Sequence, residues 1–242
     1  MNGSRAGSSF IDRILHTPVT WLIVALNIGL FVLAWIRDGA QGLALDIETL
    51  RAFGASSRWL VQHGDPWRLL TAVFLHANWL HLGVNTFFMV GWCAAVEKSA
   101  GSLWFAFAYL TTGIGGFAAS ALTGPYLSVG ASGAGFGVVA VVLSLLYRRE
   151  GSWDRFISNP GVRQTLIWGG GWILVGFLFI RGLDNSAHLG GFALGVPCGL
   201  VLGGRQGRRR PAWLASLAAY ILVWLGIVVL ACIPGVGFRQ GG

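Results

Sequence analysis

Ala212-Trp-Leu-Ala-Ser-Leu-Ala-Ala-Tyr-Ile-Leu-Val-Trp-Leu-Gly-Ile-Val-Val-Leu-Ala-Cys-Ile233 carries no charged residue from end to end. A helix needs about 20 apolar residues to cross the hydrocarbon of a bilayer, and this stretch reaches that length. Six further runs of the same kind precede it: Val19 to Ile36, Trp79 to Val96, Leu103 to Leu122, Ser132 to Tyr147, Thr165 to Ile180 and Ala187 to Leu202. Lipid offers the backbone no hydrogen-bond partner, so each run is read as a helix that satisfies its own amides. The expected fold is therefore an all-α membrane protein, a polytopic helical bundle.

Composition agrees. Of the 242 residues, 55% are hydrophobic and 11% charged, and the mean hydropathy is +0.66. A water-soluble core of this size cannot hide that surplus. The net charge of +8 does not signal nucleic acid, because the basic residues sit in short gaps between apolar runs rather than on one polar face. Cys93, Cys198 and Cys232 each lie inside an apolar run, with neither disulfide nor zinc spacing, and read as packing residues. The first eighteen residues are polar and mixed. The first run is long enough to stay in the membrane as a signal anchor, so no cleavable leader is expected. The chain divides into residues 1–18, six apolar runs over 19–203 with a long loop at 37–78, and a basic loop, seventh run and short tail over 204–242.

Charge fixes the expected orientation. With the N-terminus in the cytoplasm, eleven basic residues fall inside and six outside, and the pairs and triplets Arg148–Arg149 and Arg208–Arg210 are both inside. The positive-inside rule favours that arrangement, with the C-terminus out. The loop 37–78 mixes charge with Trp59, Leu60, Trp67, Leu69, Leu70 and Phe74. It is expected to pack on the bundle or dip into the interface.

Polar groups in membrane spans are costly and call for a reason. Three sets occur: His76, His81 and Asn85; Gly130-Ala131-Ser132-Gly133; and Ala187-His188-Leu189-Gly190-Gly191. In the charge-derived topology the second, fourth and sixth runs all enter from outside. His81, Asn85, Ser132 and His188 then share one shallow depth near the outer face. His188, Gly191, Gly195 and Gly199 recur at helical spacing, and small residues let helices approach closely. That approach would bring Ser132 to His188. The pair would make an activated nucleophile and its base. The Ser132 N–H, unused at a helix start, and the side chains of His81 and Asn85 would serve a developing oxyanion. Three histidines, His76, His81 and His188, without a carboxylate or cysteine at ligand spacing argue against a metal. Asp184 is either a third member of the site or, better, a loop or helix-start residue.

These motifs resemble the rhomboid family of intramembrane proteases. Trp67-Arg68, then His76-x4-His81-x3-Asn85, is similar to that family's first loop and second helix. Glu97, Gly101, Tyr109 and Gly113-Ile-Gly-Gly116 resemble the next region. Gly130-x-Ser132-Gly133 and Ala187-His188-x2-Gly191-x3-Gly195 resemble its nucleophile and base motifs. The likeness covers about Pro66 to Gly203, the six-helix core, and leaves the seventh helix without an assigned role.

The resemblance implies a Ser132–His188 dyad without an aspartate, and an oxyanion site of His81, Asn85 and the Ser132 N–H. It implies supporting places for His76, Gly130, Gly133, Phe136, Gly191, Gly195, Trp67 and Arg68, with Trp67 and Arg68 in the lateral loop and Glu97 a buried structural group. Some members have Tyr where Phe136 stands; ring stacking on the histidine needs no hydroxyl. The expected substrates are transmembrane proteins, cut near their membrane surface, with no cofactor, no nucleic acid and the lipid bilayer as surroundings. The expected location is a bacterial inner membrane, active site outward. Trp168-Gly169-Gly170-Gly171-Trp172 in the fifth run is either a mobile gate or simple close packing. Asn78, His76, Thr86 and Ser128 are expected to line a polar recess for water. The competing functions are a catalytically silent rhomboid-like binding protein or chaperone, and a transporter, which the absence of charge along the spans disfavours.

Overall fold

The computed structural model describes residues 16–124, 127–179, 183–204 and 210–237. The expectations for residues 1–15, for the end of the fifth run at Ile180, for Arg181, for the basic stretch 205–209, for Arg239 and for the side chain of Trp172 fall outside the described residues.

Seven long helices follow the seven runs: α1 (Pro18–Arg37), α5 (Trp79–Ala100), α6 (Ser102–Thr123), α7 (Ser132–Glu150), α9 (Pro160–Phe179), α10 (Asn185–Gly203) and α11 (Arg210–Cys232). The short helices α2 (Ile47–Phe53), α3 (Arg58–Gln62) and α4 (Arg68–Thr71) fill the long first loop, and α8 (Trp153–Ser158) bridges α7 and α9. Five of the long helices are apolar and long enough to cross a membrane: α1, α5, α6, α10 and α11. The protein is a multi-pass integral membrane bundle. α7 and α9 have similar length, 19 and 20 residues. One ends in Arg148-Arg149-Glu150 and the other opens through Arg163-Gln164.

Helix limits exceed the apolar runs where a cap sets them. α9 begins five residues before its run, with Pro160 at its first position and the Asn159 side chain accepting from the Gly161 N–H at 2.8 Å; proline suits a helix start because its missing N–H would be unpaired there anyway. α7 runs on through its arginines to Gly151, whose φ of +70° ends it in the left-handed cap glycine favours.

The centre is a three-helix layer in which α10 lies between α6 and α7. Its glycines make that possible. A Cβ on Gly191 would fall on the Gly133 carbonyl of α7, and one on Gly195 would fall on the Gly137 carbonyl. On the other side a Cβ on Gly116 of α6 would lie 2.7 Å from the Ala187 carbonyl oxygen. Backbone thus meets backbone on both faces, the small-residue packing that replaces a hydrophobic driving force inside lipid. The buried core around this layer includes Phe105, Tyr109, Phe117 and Val138.

α1 is fastened by one carboxylate. Glu97, buried near the end of α5, accepts from the Val19 and Thr20 N–H groups at 2.9 and 2.8 Å, from the Thr20 hydroxyl at 2.7 Å and from the Ser102 hydroxyl at 2.7 Å. The first N–H groups of a helix have no partner of their own, and a buried carboxylate needs several donors, so each requirement meets the other. At the opposite end Phe31 and Trp35 pack edge-on against Trp79, centroids 4.7 and 5.7 Å apart.

The first loop is held by its own polar groups. Arg68 donates to the Asp65 carboxylate at 2.8 Å and to the Arg51 and Ala55 carbonyls at 2.7 and 3.1 Å, and its guanidinium sits 4.5 Å from the Trp67 ring centre. That hydrogen bond to Arg68 also holds the Asp65 carboxyl below its ordinary pKa. Arg58 donates to the Ala121 and Leu122 carbonyls at 2.8 and 2.6 Å, closing the end of α6. Trp59 and Trp67 stay exposed, as an interfacial segment would leave them. The tail after α11 returns to this loop, where the Gln62 side-chain amide donates to the Val236 carbonyl at 2.7 Å.

Candidate active site

α5, α7 and α10 all begin at the same end of the bundle, so their first turns meet. Ser132 is the first residue of α7. His188 stands one turn into α10, almost wholly buried, and its Nε2 lies 2.7 Å from the Ser132 Oγ. Phe136, one turn beyond Ser132, tilts against the imidazole with ring centroids 4.7 Å apart and 39° between planes. The glycine contacts set this distance: a Cβ on Gly133 would lie 3.2 Å from the Ala187 carbonyl oxygen, one residue before His188.

Gly130 brings in the third helix. Its φ of +134° is a conformation that side-chain-bearing residues rarely adopt, and a Cβ there would lie 2.8 Å from both Cε1 and Nε2 of His81. The His81 ring therefore faces the peptide that leads into Ser132. The Ala77 N–H approaches the other ring nitrogen, Nδ1, at 3.5 Å. That contact favours the tautomer with the proton on Nε2, facing the Ser132 loop. Asn85 lies one turn further along α5. Its amide nitrogen donates to the His81 carbonyl at 2.8 Å, which leaves one of its two N–H groups for another acceptor. The Ser132 N–H is among the four that α7 does not use itself.

Asp184 has the helix-start role. Its Oδ1 accepts from the Ala187 N–H at 3.0 Å, capping α10. Its Oδ2 accepts from the Ser120 hydroxyl of α6 and, at 2.6 Å, from the Ser128 hydroxyl in the loop before Ser132. Among the described residues the Nδ1 of His188 has no hydrogen-bond partner, and the Asp184 carboxylate bonds elsewhere. Ser120 was not legible as part of this arrangement, since nothing in its spacing relates it to residue 184. Ser128 is itself paired through the backbone with Ser56 of the first loop, at 3.0 and 2.7 Å.

His76 is buried outside the spans, its ring 5.1 Å from that of His81. Burial first, and then the charge of neighbouring His81, pushes its pKa down to about 3. It is neutral at pH 7. Trp67 and Arg68 lie apart from the dyad, in the first loop.

The dyad opens on a cavity of about 400 Å³. It extends from Asn78, Ser128 and Asp184 at the end of the bundle where α5, α7 and α10 begin, past Ser132, to Trp92 of α5, Val139 of α7 and Trp168 of α9. His76 and Thr86, expected beside Asn78 and Ser128, are not on its wall. The mouth is thus polar and the inner part apolar. No group of three or more metal-ligating side chains occurs among the described residues.

The sequence is similar to those of known proteins. The family model of the Rhomboid domain matches residues 63–205. The chain is 37% identical to "Rhomboid protease GluP" of Bacillus subtilis over 213 residues, 86% of this chain and 39% of that protein. It is 37% identical to "RHOMBOID-like protein 5" of Arabidopsis thaliana over 166 residues, 66% of this chain and 52% of that protein. It is 39% identical to "Rhomboid-type serine protease 2" of Emericella nidulans over 146 residues, 56% of this chain and 27% of that protein. The chain therefore spans about half the length, or less, of these relatives.

Proposed function

The chain belongs to the rhomboid family, and from that premise we propose that it is a serine endopeptidase that cleaves transmembrane segments of other membrane proteins near the outer face. The observation that carries the reading is the 2.7 Å contact between the Ser132 hydroxyl and the His188 Nε2, buried in a membrane bundle yet lining a cavity with a polar mouth.

In this reading the Ser132 Oγ attacks the scissile carbonyl carbon while His188 Nε2 takes its proton. The oxyanion is met by the Ser132 N–H, His81 and Asn85. His188 then gives the proton to the leaving amine, and the acyl group remains on Ser132. Water enters through the mouth at Asn78 and Ser128 and attacks the acyl carbon while His188 takes its proton; His188 then returns that proton to the departing Ser132 Oγ, and the acyl group leaves as a carboxylic acid. Phe136 and the Gly133, Gly191 and Gly195 contacts hold the imidazole in register, Gly130 makes room for His81, and His76 supports His81 from behind. Trp67 and Arg68 act through the first loop.

The substrate helix comes sideways from lipid, past α9. Among the described residues Gly170 and Gly171 have no neighbour within 4 Å of where a Cβ would stand, which favours a gate over close packing. The six-helix unit is taken as residues 19–203, with 204–242 as an appendage. The protein is assigned to a bacterial inner membrane with its N-terminus in the cytoplasm and the dyad outward.

A serine-reactive fluorophosphonate probe tests the reading without a known substrate. The parent is expected to label, and the Ser132→Ala and His188→Ala variants are not. A folded parent that fails to label in detergent and in liposomes would instead favour a silent binding protein. A crosslink between α9 and α5 that leaves cleavage intact would remove the gate.

A further inference from the structure

A second cavity, of about 440 Å³, opens at the far end of the bundle. It lies where α5, α7 and α10 finish and α6 begins, near residue 148, some 16 residues past Ser132 and so about 24 Å along α7. Most of its wall is apolar, with Ala95, Val142, Leu145 and Leu202 on it. The exceptions are Ser99 and the arginines Arg148 and Arg149.

Among the described residues these arginines form no ion pair. The described ion pairs join Arg51 to Glu48 and Arg68 to Asp65, both in the first loop. Asp154, at the start of α8, forms no ion pair with either arginine, and two other carboxylates at this end of the bundle accept from other donors. Glu97 serves the start of α1, and Glu150 accepts from the Asn159 side chain at 2.9 Å. Arg148 is half-buried and Arg149 exposed. Arg148 also lies across the end of α10, where a Cβ on Gly203 would come within 2.7 Å of its Cδ. Its guanidinium is therefore held at the rim.

Two guanidiniums with no ion pair among the described residues, above an apolar recess at the end of the long helices, match a particular ligand chemistry. Guanidinium pairs with phosphate through parallel hydrogen bonds, and basic pockets between membrane helices take anionic headgroups. A free phosphate ion would satisfy the arginines but not the apolar wall. A zwitterionic lipid would fill the wall but bring its own cation to the arginines. We propose that this cavity binds an anionic phospholipid, with the phosphate diester on Arg148 and Arg149 and an acyl chain along Val142 and Leu145. The site is separate from the dyad and does not depend on the protease reading.

Native mass spectrometry of the detergent-solubilised full chain tests it. Phosphatidylglycerol, phosphatidylcholine and water-soluble glycerol phosphate are titrated separately and in competition. The parent is expected to retain one phosphatidylglycerol at a concentration about tenfold or more below that needed for phosphatidylcholine. Arg148→Gln/Arg149→Gln removes the preference, and Leu145→Trp, which fills the recess with the charges kept, weakens retention of both lipids. Arg149→Gln alone alters an exposed position and gives a folded intermediate should the double variant not fold. Equal retention of the two lipids by the parent, or a parent-like preference in a folded arginine variant, overturns the site. Displacement of phosphatidylglycerol by an equal concentration of glycerol phosphate overturns the lipid assignment in favour of a free phosphate.

Discussion

α10 and α9 are neighbours in sequence and both rich in glycine, yet glycine does opposite things in them. In α10 the residues at 191 and 195 remove side chains from places already filled by the backbone of α7. In the middle of α9, Gly170 and Gly171 remove side chains where nothing among the described residues stands near, and a Cβ on Gly169 would come no closer than 3.9 Å to the Val139 side chain. The described part of α9 up to Gly171 buries little beyond Val162 and Thr165. Glycine lowers the stability of a helix by about 1 kcal/mol relative to alanine. In α10 the tight contacts it permits offset that cost, and in α9 nothing visible does. One helix holds the base in register with the nucleophile, and the other borders the cavity as a loosely attached wall.

The contrast is broken most severely by Gly195→Val. The new side chain would meet the Gly137 carbonyl, a loss of more than about 3 kcal/mol. Gel filtration is expected to show little folded protein and the probe to find no activated serine. Survival of this variant with normal labelling would mean that the α7–α10 contact is not what fixes the dyad.

Asp184→Ala comes next. It removes the cap of α10 and the shared acceptor of Ser120 and Ser128, at about 1–3 kcal/mol. A lower melting temperature with slower probe labelling is expected, and Asp184→Asn should restore part of both. Normal labelling in a destabilised alanine variant would confine Asp184 to the fold.

Acid probes the same half of the molecule through His76. Its pKa is held near 3 in the folded protein against an ordinary 6.5. The unfolded chain thus takes up the proton first as pH falls. The stabilisation is complete above pH 6.5 and is lost as pH drops from there toward 3, by up to about 1.4 kcal/mol per pH unit. Urea unfolding across that window should show the slope, and His76→Gln should flatten it.

The smallest effect is expected at α9. Gly170→Ala and Gly171→Ala have room for the methyl group and should stabilise the helix by about 0.5–1 kcal/mol each. Thermal unfolding would register the gain. Labelling by a small probe should be unchanged, while cleavage of a membrane-embedded substrate should slow. A loss of stability would show that these glycines pack after all.

The seven long helices were readable because each run had to satisfy its amides internally and expose carbon to lipid. That argument uses only length and apolarity, so its ends were poor where caps decide them, as at Pro160 and Glu150. The meeting of residues 132 and 188 was legible for a different reason: the alternation of the runs put both helix starts at one end of the bundle, and the glycine spacing allowed the contact. The first loop was not legible in detail. Its three short helices depend on Arg68 reaching the carbonyls of Arg51 and Ala55, and no local pattern records such a reach. The same holds for Asp184, whose partners Ser120 and Ser128 lie 64 and 56 residues away. The sequence offered a helix start there, and only folding supplied the two hydroxyls.

The Glu97 carboxylate carries a consequence for how the chain is made. It follows Thr20 by 77 residues, so the first helix is threaded into the bilayer well before its anchor has left the ribosome. Until then the opening amides of α1 depend on water and headgroups for partners. The chain must therefore deliver α5 with its far end on the side where α1 began, and only an intervening loop such as 37–78 on the other side allows that. The completion of the first helix is thereby postponed to the arrival of the second long one, and a nascent chain halted before residue 97 would hold α1 in the membrane but undocked.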